Sequence, residues 1–199
     1  MPAISILISM DDPPWWRRWR AQVATGDARI DDATAFEQLV ASHAPLVLRT
    51  AQRLLLNEAD AEDAAQEVFL KIHRFYSKFD GNRDLLPWLY RITVNVCHDL
   101  RRKRQRALSL DAGSDAVAAG TSDPEQVVNT QERRTLLLEA LRVLSDRERE
   151  TIVLRDLEGL TTAEVAAALG TNEATVRSQI SSGRMKLRNY LTRKLGRRR

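Results

Sequence analysis

The chain has 199 residues, with 31 lysines and arginines against 27 aspartates and glutamates, three histidines and one cysteine. This length suits one medium domain or two small ones, and a single cysteine excludes an internal disulfide and a cysteine-based zinc knuckle. The longest stretch without a charged residue, Gln38–Leu48, has 11 residues, whereas a membrane-spanning helix needs about 20 apolar residues. The eight glycines and six prolines are few for an all-β protein. These features predict an intracellular, mostly helical protein.

Charge is segregated along the chain, although the net charge is only +4. Residues 58–67 carry five acids and no base, residues 99–106 carry five bases and one acid, and residues 184–199 carry eight bases and no acid. Separate acidic and basic faces indicate two kinds of partner, one of them a polyanion. The alternative is that these runs are solvated helix faces without a partner.

The first 31 residues have no clear apolar periodicity. Tryptophans and arginines alternate here, at Trp15, Trp16 and Trp19 and at Arg17, Arg18 and Arg20. Such a pattern suits a short helix on a membrane surface or on nucleic acid. A flexible extension, or a helix packed on its own domain, is the more common case, and we assign residues 1–31 no function.

Helical patterns begin at Thr34, and we predict a first domain of three helices over residues 32–106. Thr34 and Glu37 have the spacing of a capping box, in which each side chain satisfies a free backbone amide at the helix start. Pro45 is expected to kink or split the first helix. That helix is predicted to end near Leu56.

The next two helices are predicted from their apolar faces. Asp60 and Asp63 are placed at the start of the second helix, where acids complement the positive end of the helix dipole. Residues 80–82 form a turn, and Pro87 suits the first turn of the third helix. The positions that define the two faces are Val68, Ile72, Phe75 and Phe79 in the second helix, and Trp88, Ile92 and Val96 in the third.

A linker and a second domain follow. Residues 107–122 are rich in Ala, Gly, Ser and Asp and lack a periodic apolar face, which predicts a flexible linker. Residues 123–199 are predicted to form at least four helices. Their markers are capping boxes at Ser145 with Glu148 and at Thr161 with Glu164, and the separating glycines Gly159 and Gly170.

The strongest local signal lies between Thr161 and Lys186. A short helix ends at Gly170, Thr171 or Asn172 caps the next helix, and a small residue, Ala166, allows the two helices to cross closely. This spacing is typical of a helix-turn-helix, with an ordinary helical hairpin as the alternative. Val176 and Ile180 point inward, and the predicted outward side chains, able to reach bases and phosphates, are Thr175, Arg177, Ser178, Ser181, Ser182 and Arg184.

A second signal joins Phe79–Arg83 to Trp88–Asn95 and the basic run. Aromatic rings, an amide and several bases around one loop offer a single-stranded base a stacking surface, an edge reader and phosphate neutralisation. Packing of Phe79 and Trp88 in the core explains the same residues equally well, so the residues alone leave both readings open.

Three segments carry a resemblance to a known family: Asp60–Lys71, Trp88–Asn95 and the helix-turn-helix. In this order they resemble the extracytoplasmic-function sigma factors of bacterial RNA polymerase, over 160 residues from Asp32 to Leu191. The resemblance implies an all-α fold in which a three-helix sigma domain 2 and a four-helix sigma domain 4 are joined by a flexible linker. It implies a cytoplasmic, non-enzymatic protein without cofactor or metal.

The resemblance also implies three groups of site residues. Core RNA polymerase would be bound by Asp63, Gln66 and Glu67. The minus-ten promoter element would be bound by Phe79, Asn82, Arg83, Trp88, Asn95, Arg101, Arg102, Lys103 and Arg104. The minus-thirty-five element would be bound by Thr175, Arg177, Ser178, Ser181 and Arg184. Because Ser181 and Ser182 replace larger or basic residues common in the family, the base preference is not transferred.

The resemblance and the linker together suggest an anti-sigma factor that holds the two domains closed around it. A helix-turn-helix regulator that does not bind polymerase explains the second domain equally well, but leaves Asp60–Lys71 and Trp88–Asn95 unexplained. An enzyme with metal ligands among the acids of residues 58–67 lacks a matching second cluster, since His73 is six residues from Glu67. Cys97 and His98 are adjacent and point to different faces of a helix, which disfavours a shared metal.

Overall fold

The computed structural model of the chain describes residues 30–75, 85–110 and 126–196. These ranges contain seven α-helices and no strand, which confirms the all-α prediction for the described residues. The helices are α1 Ile30–Leu55, α2 Glu58–Phe75, α3 Leu85–Leu110, α4 Gln126–Arg142, α5 Asp146–Ile152, α6 Thr162–Leu169 and α7 Glu173–Gly196. A π-helical turn, Val153–Leu157, continues α5. Across the described ranges, no helix is both long and apolar enough to traverse a bilayer.

Helix α1 is longer at its start than predicted and is continuous. It begins at Ile30, so the capping box predicted at Thr34 is wrong, and Pro45 lies inside the helix without splitting it. A proline removes one hydrogen bond from a helix, but Val40 and Val47 on either side are fully buried and hold the segment by packing.

The corner between α1 and α2 is made by two adjacent residues. Leu56 adopts a left-handed conformation, with φ of 57°, and ends α1. Asn57 Oδ1 then accepts a hydrogen bond of 3.0 Å from the Asp60 backbone N–H. Asp60 therefore lies in the first turn of α2, as predicted, but the residue that caps the helix is Asn57, whose role was not predicted.

The first domain, α1–α3, buries the predicted apolar faces. Val68 and Ile72 of α2 and Val96 of α3 are completely buried, and Pro87 lies in the first turn of α3 as predicted. Helix α3 continues to Leu110, so the first four residues of the predicted linker are helical. Phe79, the turn at 80–82, the rest of the linker and the tryptophan-rich segment lie outside the described residues.

The second domain, α4–α7, contains the predicted helix-turn-helix in α6 and α7. Both capping boxes are present, at Ser145 with Glu148 and at Thr161 with Glu164. Helix α6 ends at Gly170, whose φ of 61° is easily adopted only by a residue without a Cβ. Asn172 Oδ1 accepts the Thr175 backbone N–H at 2.8 Å, so Asn172 is the cap of α7.

The two domains pack directly against each other. Helix α3 of the first domain contacts α6 of the second, and α1 contacts α5 and the π-helical turn. The buried apolar residues of both domains form one continuous cluster.

The crossing of α5 and α7 depends on Gly183, which generates our first prediction. A Cβ on Gly183 would lie 2.8 Å from Cγ1 and 3.2 Å from Cδ1 of Ile152. Alanine favours a helix by up to about 1 kcal/mol over glycine, but overpacking a core costs about 1–3 kcal/mol. We expect Gly183→Ala to lower the free energy of unfolding in urea by about 1–2 kcal/mol. The matched substitution Ser178→Ala, at an exposed position of α7, should not lower it, and a Gly183→Ala chain as stable as wild type would contradict the close crossing.

Candidate nucleic-acid interface

The outer face of α7 carries a row of exposed polar and basic side chains. Four of the six side chains predicted to face outward are exposed, namely Arg177, Ser178, Ser181 and Arg184. A shallow depression on this face is lined by Arg177, Ile180, Ser181, Arg184, Met185 and Arg188. Met185 and Arg188 were not among the residues predicted for this face. Arg188 lies one helical turn beyond Arg184, so extending the same periodicity would have found it.

Two of the side chains predicted to face outward differ from the prediction. Ser182 is half-buried and its hydroxyl donates a hydrogen bond of 2.6 Å to Glu148 Oε1 of α5. That inward contact makes Ser182 part of the packing between α5 and α7. Thr175 is half-buried in the first turn of α7, where its backbone N–H bonds to the capping Asn172.

Arg184 is held in place by an aspartate from another element. Its Nε and Nη2 donate to the two carboxylate oxygens of Asp156 at 2.9 and 2.6 Å. These hydrogen bonds and the negative charge of Asp156 raise the pKa of the guanidinium. Asp156 lies in the π-helical turn, beside the fully buried Leu154. Arg177 forms an ion pair with Glu173, one turn earlier on its own helix.

Glu148 connects α5 to α7 through hydrogen bonds. Its side chain is only 9% exposed and accepts hydrogen bonds from Ser182, from Lys186 Nζ at 2.8 Å and from the Ser145 backbone N–H at 2.9 Å. Burial alone would raise the pKa of this carboxyl group, but the hydrogen bonds outweigh it and lower the pKa to about 2. The ionised carboxylate therefore stabilises the helix pair that presents the basic face.

The predicted polymerase-binding residues lie together on α2. Asp63 is exposed, and Gln66 and Glu67 are half-buried one turn further along the helix. Glu67 Oε1 is 3.9 Å from Lys71 Nζ, a weak i,i+4 ion pair. Asp60, from the same acidic run, is paired with Arg104 of α3.

The residues predicted to bind the minus-ten element are only partly brought together. Asn95 is exposed on α3, and Trp88 is half-buried and packs against the core, so core packing accounts for part of its surface. Arg102 and Lys103 are exposed, and Arg104 is paired with Asp60. Phe79, Asn82 and Arg83 lie outside the described residues.

Arg101 differs from its neighbours because it contacts the second domain. Its Nη2 donates to Glu150 Oε1 at 2.6 Å, and its Nη1 lies 2.8 Å from Asp146 Oδ1. Only 18% of the side chain is exposed. In this arrangement Arg101 is not available to a nucleic acid backbone.

Cys97 and His98 do point in different directions, as predicted. Cys97 is fully buried, and burial, assisted by the charge of Glu150, raises the pKa of its thiol to about 12. His98 Nε2 lies 2.6 Å from Glu150 Oε1 of the second domain. A protonated, buried thiol is a poor nucleophile, so Cys97 acts here as a packing residue.

Comparison with known proteins identifies both domains. Residues 39–107 match the family described as Sigma-70 region 2, and residues 134–187 match Sigma-70, region 4. The ECF RNA polymerase sigma factor SigE of Mycolicibacterium smegmatis is 38% identical over 174 residues, which cover 85% of this chain and 67% of the relative. SigW of Bacillus subtilis is 32% identical over 170 residues, which cover 80% of this chain and 90% of the relative.

Two solved structures share the fold. The structure of CnrH in complex with the cytosolic domain of CnrY is 28% identical, covers 88% of this chain and 96% of the other chain, and has a TM-score of 0.59. The sigma factor RpoE of Bartonella quintana, in complex with the anti-sigma factor NepR, is 26% identical, covers 79% and 97% of the two chains, and has a TM-score of 0.68.

Regions 2 and 4, in this order on two small helical domains, define a bacterial sigma factor. The chain belongs to the extracytoplasmic-function (ECF) family of these factors. It is an alternative sigma factor that acts in promoter recognition and transcription initiation.

The low pKa of Glu148 makes our second prediction one of pH dependence. Because the pKa falls from an ordinary 4.5 to about 2 on folding, the stabilisation is complete above pH 4.5 and is lost as the pH falls towards 2. Glu148→Gln should lower the free energy of unfolding at pH 7 by roughly 3 kcal/mol, since one pKa unit corresponds to about 1.4 kcal/mol. The deficit should shrink steadily between pH 4.5 and pH 2. A deficit independent of pH, or an equal effect of the exposed control Glu173→Gln, would contradict this account.

Proposed function

We propose that the acidic outer face of α2 binds core RNA polymerase, that the first domain captures the minus-ten element, and that α7 reads the minus-thirty-five element. The observation that carries this proposal is the exposed row of Arg177, Ser181 and Arg184 on the second helix of a helix-turn-helix. In this proposal the protein acts in the cytoplasm, where bacterial polymerase and promoter DNA meet.

The exposed acids support α2 as the polymerase-binding element. Asp63 is exposed to solvent, and the ion pair of Glu67 within the described part of the chain is the weak one with Lys71. Both carboxylates are therefore free to exchange water for basic groups of a partner at little cost. Asp60, by contrast, stabilises the first domain through Arg104 and is a poorer candidate for the interface.

Exposed groups on α3 support a role in promoter opening. The Asn95 amide can hydrogen-bond to the edge of a flipped base, and the half-buried Trp88 offers part of a ring for stacking. Extrusion of a base costs a few kcal/mol, which such contacts would offset. Arg102 and Lys103 would neutralise the neighbouring phosphates.

The face of α7 has the chemistry for major-groove recognition. Arginine reads guanine through two hydrogen bonds, and serine hydroxyls bond to bases or phosphates. Arg184 uses Nε and Nη2 for Asp156, which leaves both Nη1 hydrogens for DNA. Arg188, which lines the same depression, extends the basic row and would contact the phosphate backbone of the DNA.

An anti-sigma factor is the further partner that we propose. The structures of CnrH and of the Bartonella sigma factor each contain such a partner or its cytosolic domain, and both cover most of this chain. A partner that holds the first and second domains together would prevent them from engaging promoter DNA.

Our third prediction tests polymerase binding. Asp63→Arg/Glu67→Arg should abolish co-precipitation with core RNA polymerase, because two favourable charges become repulsive. The matched control Glu37→Arg/Glu132→Arg reverses two exposed acids on α1 and α4 and should bind like wild type. If the double variant binds core polymerase as tightly as the wild-type chain, the acidic face of α2 is not the polymerase-binding surface.

Our fourth prediction separates the two promoter contacts. Asn95→Ala should impair promoter opening, measured by permanganate reactivity of unpaired thymines, while core binding stays largely intact. Arg177→Ala should weaken binding to the upstream element by roughly 1–3 kcal/mol if the side chain reads a base. Equal losses of core affinity in the two variants would contradict this division.

A further inference from the structure

The contact between the domains is built around two buried carboxylates of the second domain. The first is Glu158, at the end of the π-helical turn, whose side chain is 2% exposed. It accepts hydrogen bonds from Arg53 Nη1 at 2.6 Å and from the Tyr90 hydroxyl at 3.0 Å, and lies 3.5 Å from Arg49 Nη2. Burial, and then the charge of Glu158, raise the pKa of Tyr90, so its hydroxyl stays protonated and donates.

The second carboxylate is Glu150 of α5, whose side chain is 1% exposed. Its Oε1 lies 2.6 Å from both His98 Nε2 and Arg101 Nη2, two groups of the first domain. Burial alone would raise the pKa of Glu150, but these partners outweigh it and hold the pKa below its ordinary value. Glu150 thus keeps its charge while buried, and the main partners of both carboxylates belong to the other domain.

This packed arrangement is too short to span a promoter. By their numbering, the proposed minus-thirty-five and minus-ten elements lie about 25 base pairs apart, which is roughly 85 Å at about 3.4 Å per base pair. A compact chain of this length has a radius of gyration of about 16 Å, hence a diameter of roughly 40 Å. The domains therefore have to separate before the chain can bind both elements.

We propose that Glu150 and Glu158 form an intramolecular lock, in which the basic face of the first domain (Arg49, Arg53, His98 and Arg101) is a docking surface for the second domain. The lock keeps the free chain closed and occupies Arg101, one of the side chains assigned to the promoter backbone. This inference rests on the proposed function, because packing of the two domains matters only if the chain has to bind core polymerase and both promoter elements.

The lock is reversible for a physical reason. Buried ion pairs gain strong attraction but lose the hydration of both charges, so the net free energy of the contact is small. When the domains separate, water solvates the carboxylates and the bases. Binding of core RNA polymerase to the open form then shifts the population towards that form. The apparent dissociation constant is the intrinsic one divided by the fraction of chains that is open.

A charge-swap cycle at Arg53 and Glu158 tests the lock without altering any residue assigned to polymerase or DNA. The full-length variants are Arg53→Glu, Glu158→Arg and the double swap, which restores the pair with reversed polarity. Small-angle X-ray scattering gives the radius of gyration of each free chain, and fluorescence titration gives its affinity for core RNA polymerase. Urea unfolding verifies that each variant is folded.

We expect both single variants to increase the radius of gyration and to bind core polymerase about three- to tenfold more tightly, and the double swap to return both values towards wild type. Because one single variant adds negative charge and the other adds positive charge, a general electrostatic effect would change their affinities in opposite directions. Opposite changes, or an unchanged radius of gyration in both single variants, would overturn the lock. Failure of every chain to bind core polymerase, with the radii changing as expected, would instead overturn the proposed function and leave the lock standing.

Discussion

The packing of the helices and domains in this sigma factor depends on carboxylates that need basic or hydrogen-bonding partners once they are buried. One short stretch, α5 and the π-helical turn, carries Glu148, Glu150, Asp156 and Glu158, and three of these side chains are nearly inaccessible to water. An isolated buried charge is very costly, so each carboxylate fixes the groups around it. Glu148 and Asp156 bind α7, while Glu150 and Glu158 bind the first domain. The same stretch therefore sets both the recognition helix and the domain contact.

Local sequence patterns predicted most of the helices and their caps. The capping boxes at Ser145 and Thr161, the left-handed Gly170 and the buried Val176 were all predicted, because each depends on residues a few positions apart. The capping box at Thr34 failed for the same reason: the motif is short, and the helix begins four residues earlier.

Features that depend on distant parts of the chain were not predictable in this way. The basic run in the C-terminal half of α3 has five similar side chains. Nothing in its sequence distinguishes Arg101, which binds Glu150 almost 50 residues away. Ser182 is polar, like most surface residues, yet it is half-buried because its hydroxyl donates a hydrogen bond to Glu148 of α5. The helical periodicity of the sequence thus predicted the exposed face of α7. It did not predict which polar side chains form hydrogen bonds within the protein.

The π-helical turn also determines how this segment can change during evolution. The backbone N–H of Glu158 bonds to the carbonyl of Val153 at 2.9 Å, five residues earlier, so the turn holds one residue more than an α-helical turn would. The turn has already absorbed one extra residue, so insertion of a further residue between Val153 and Leu157 would rotate all that follows by about 100°. Asp156 and Glu158 would then lose their partners on two different elements at once. The segment therefore tolerates exchange of its exposed side chains far better than the insertion of another residue.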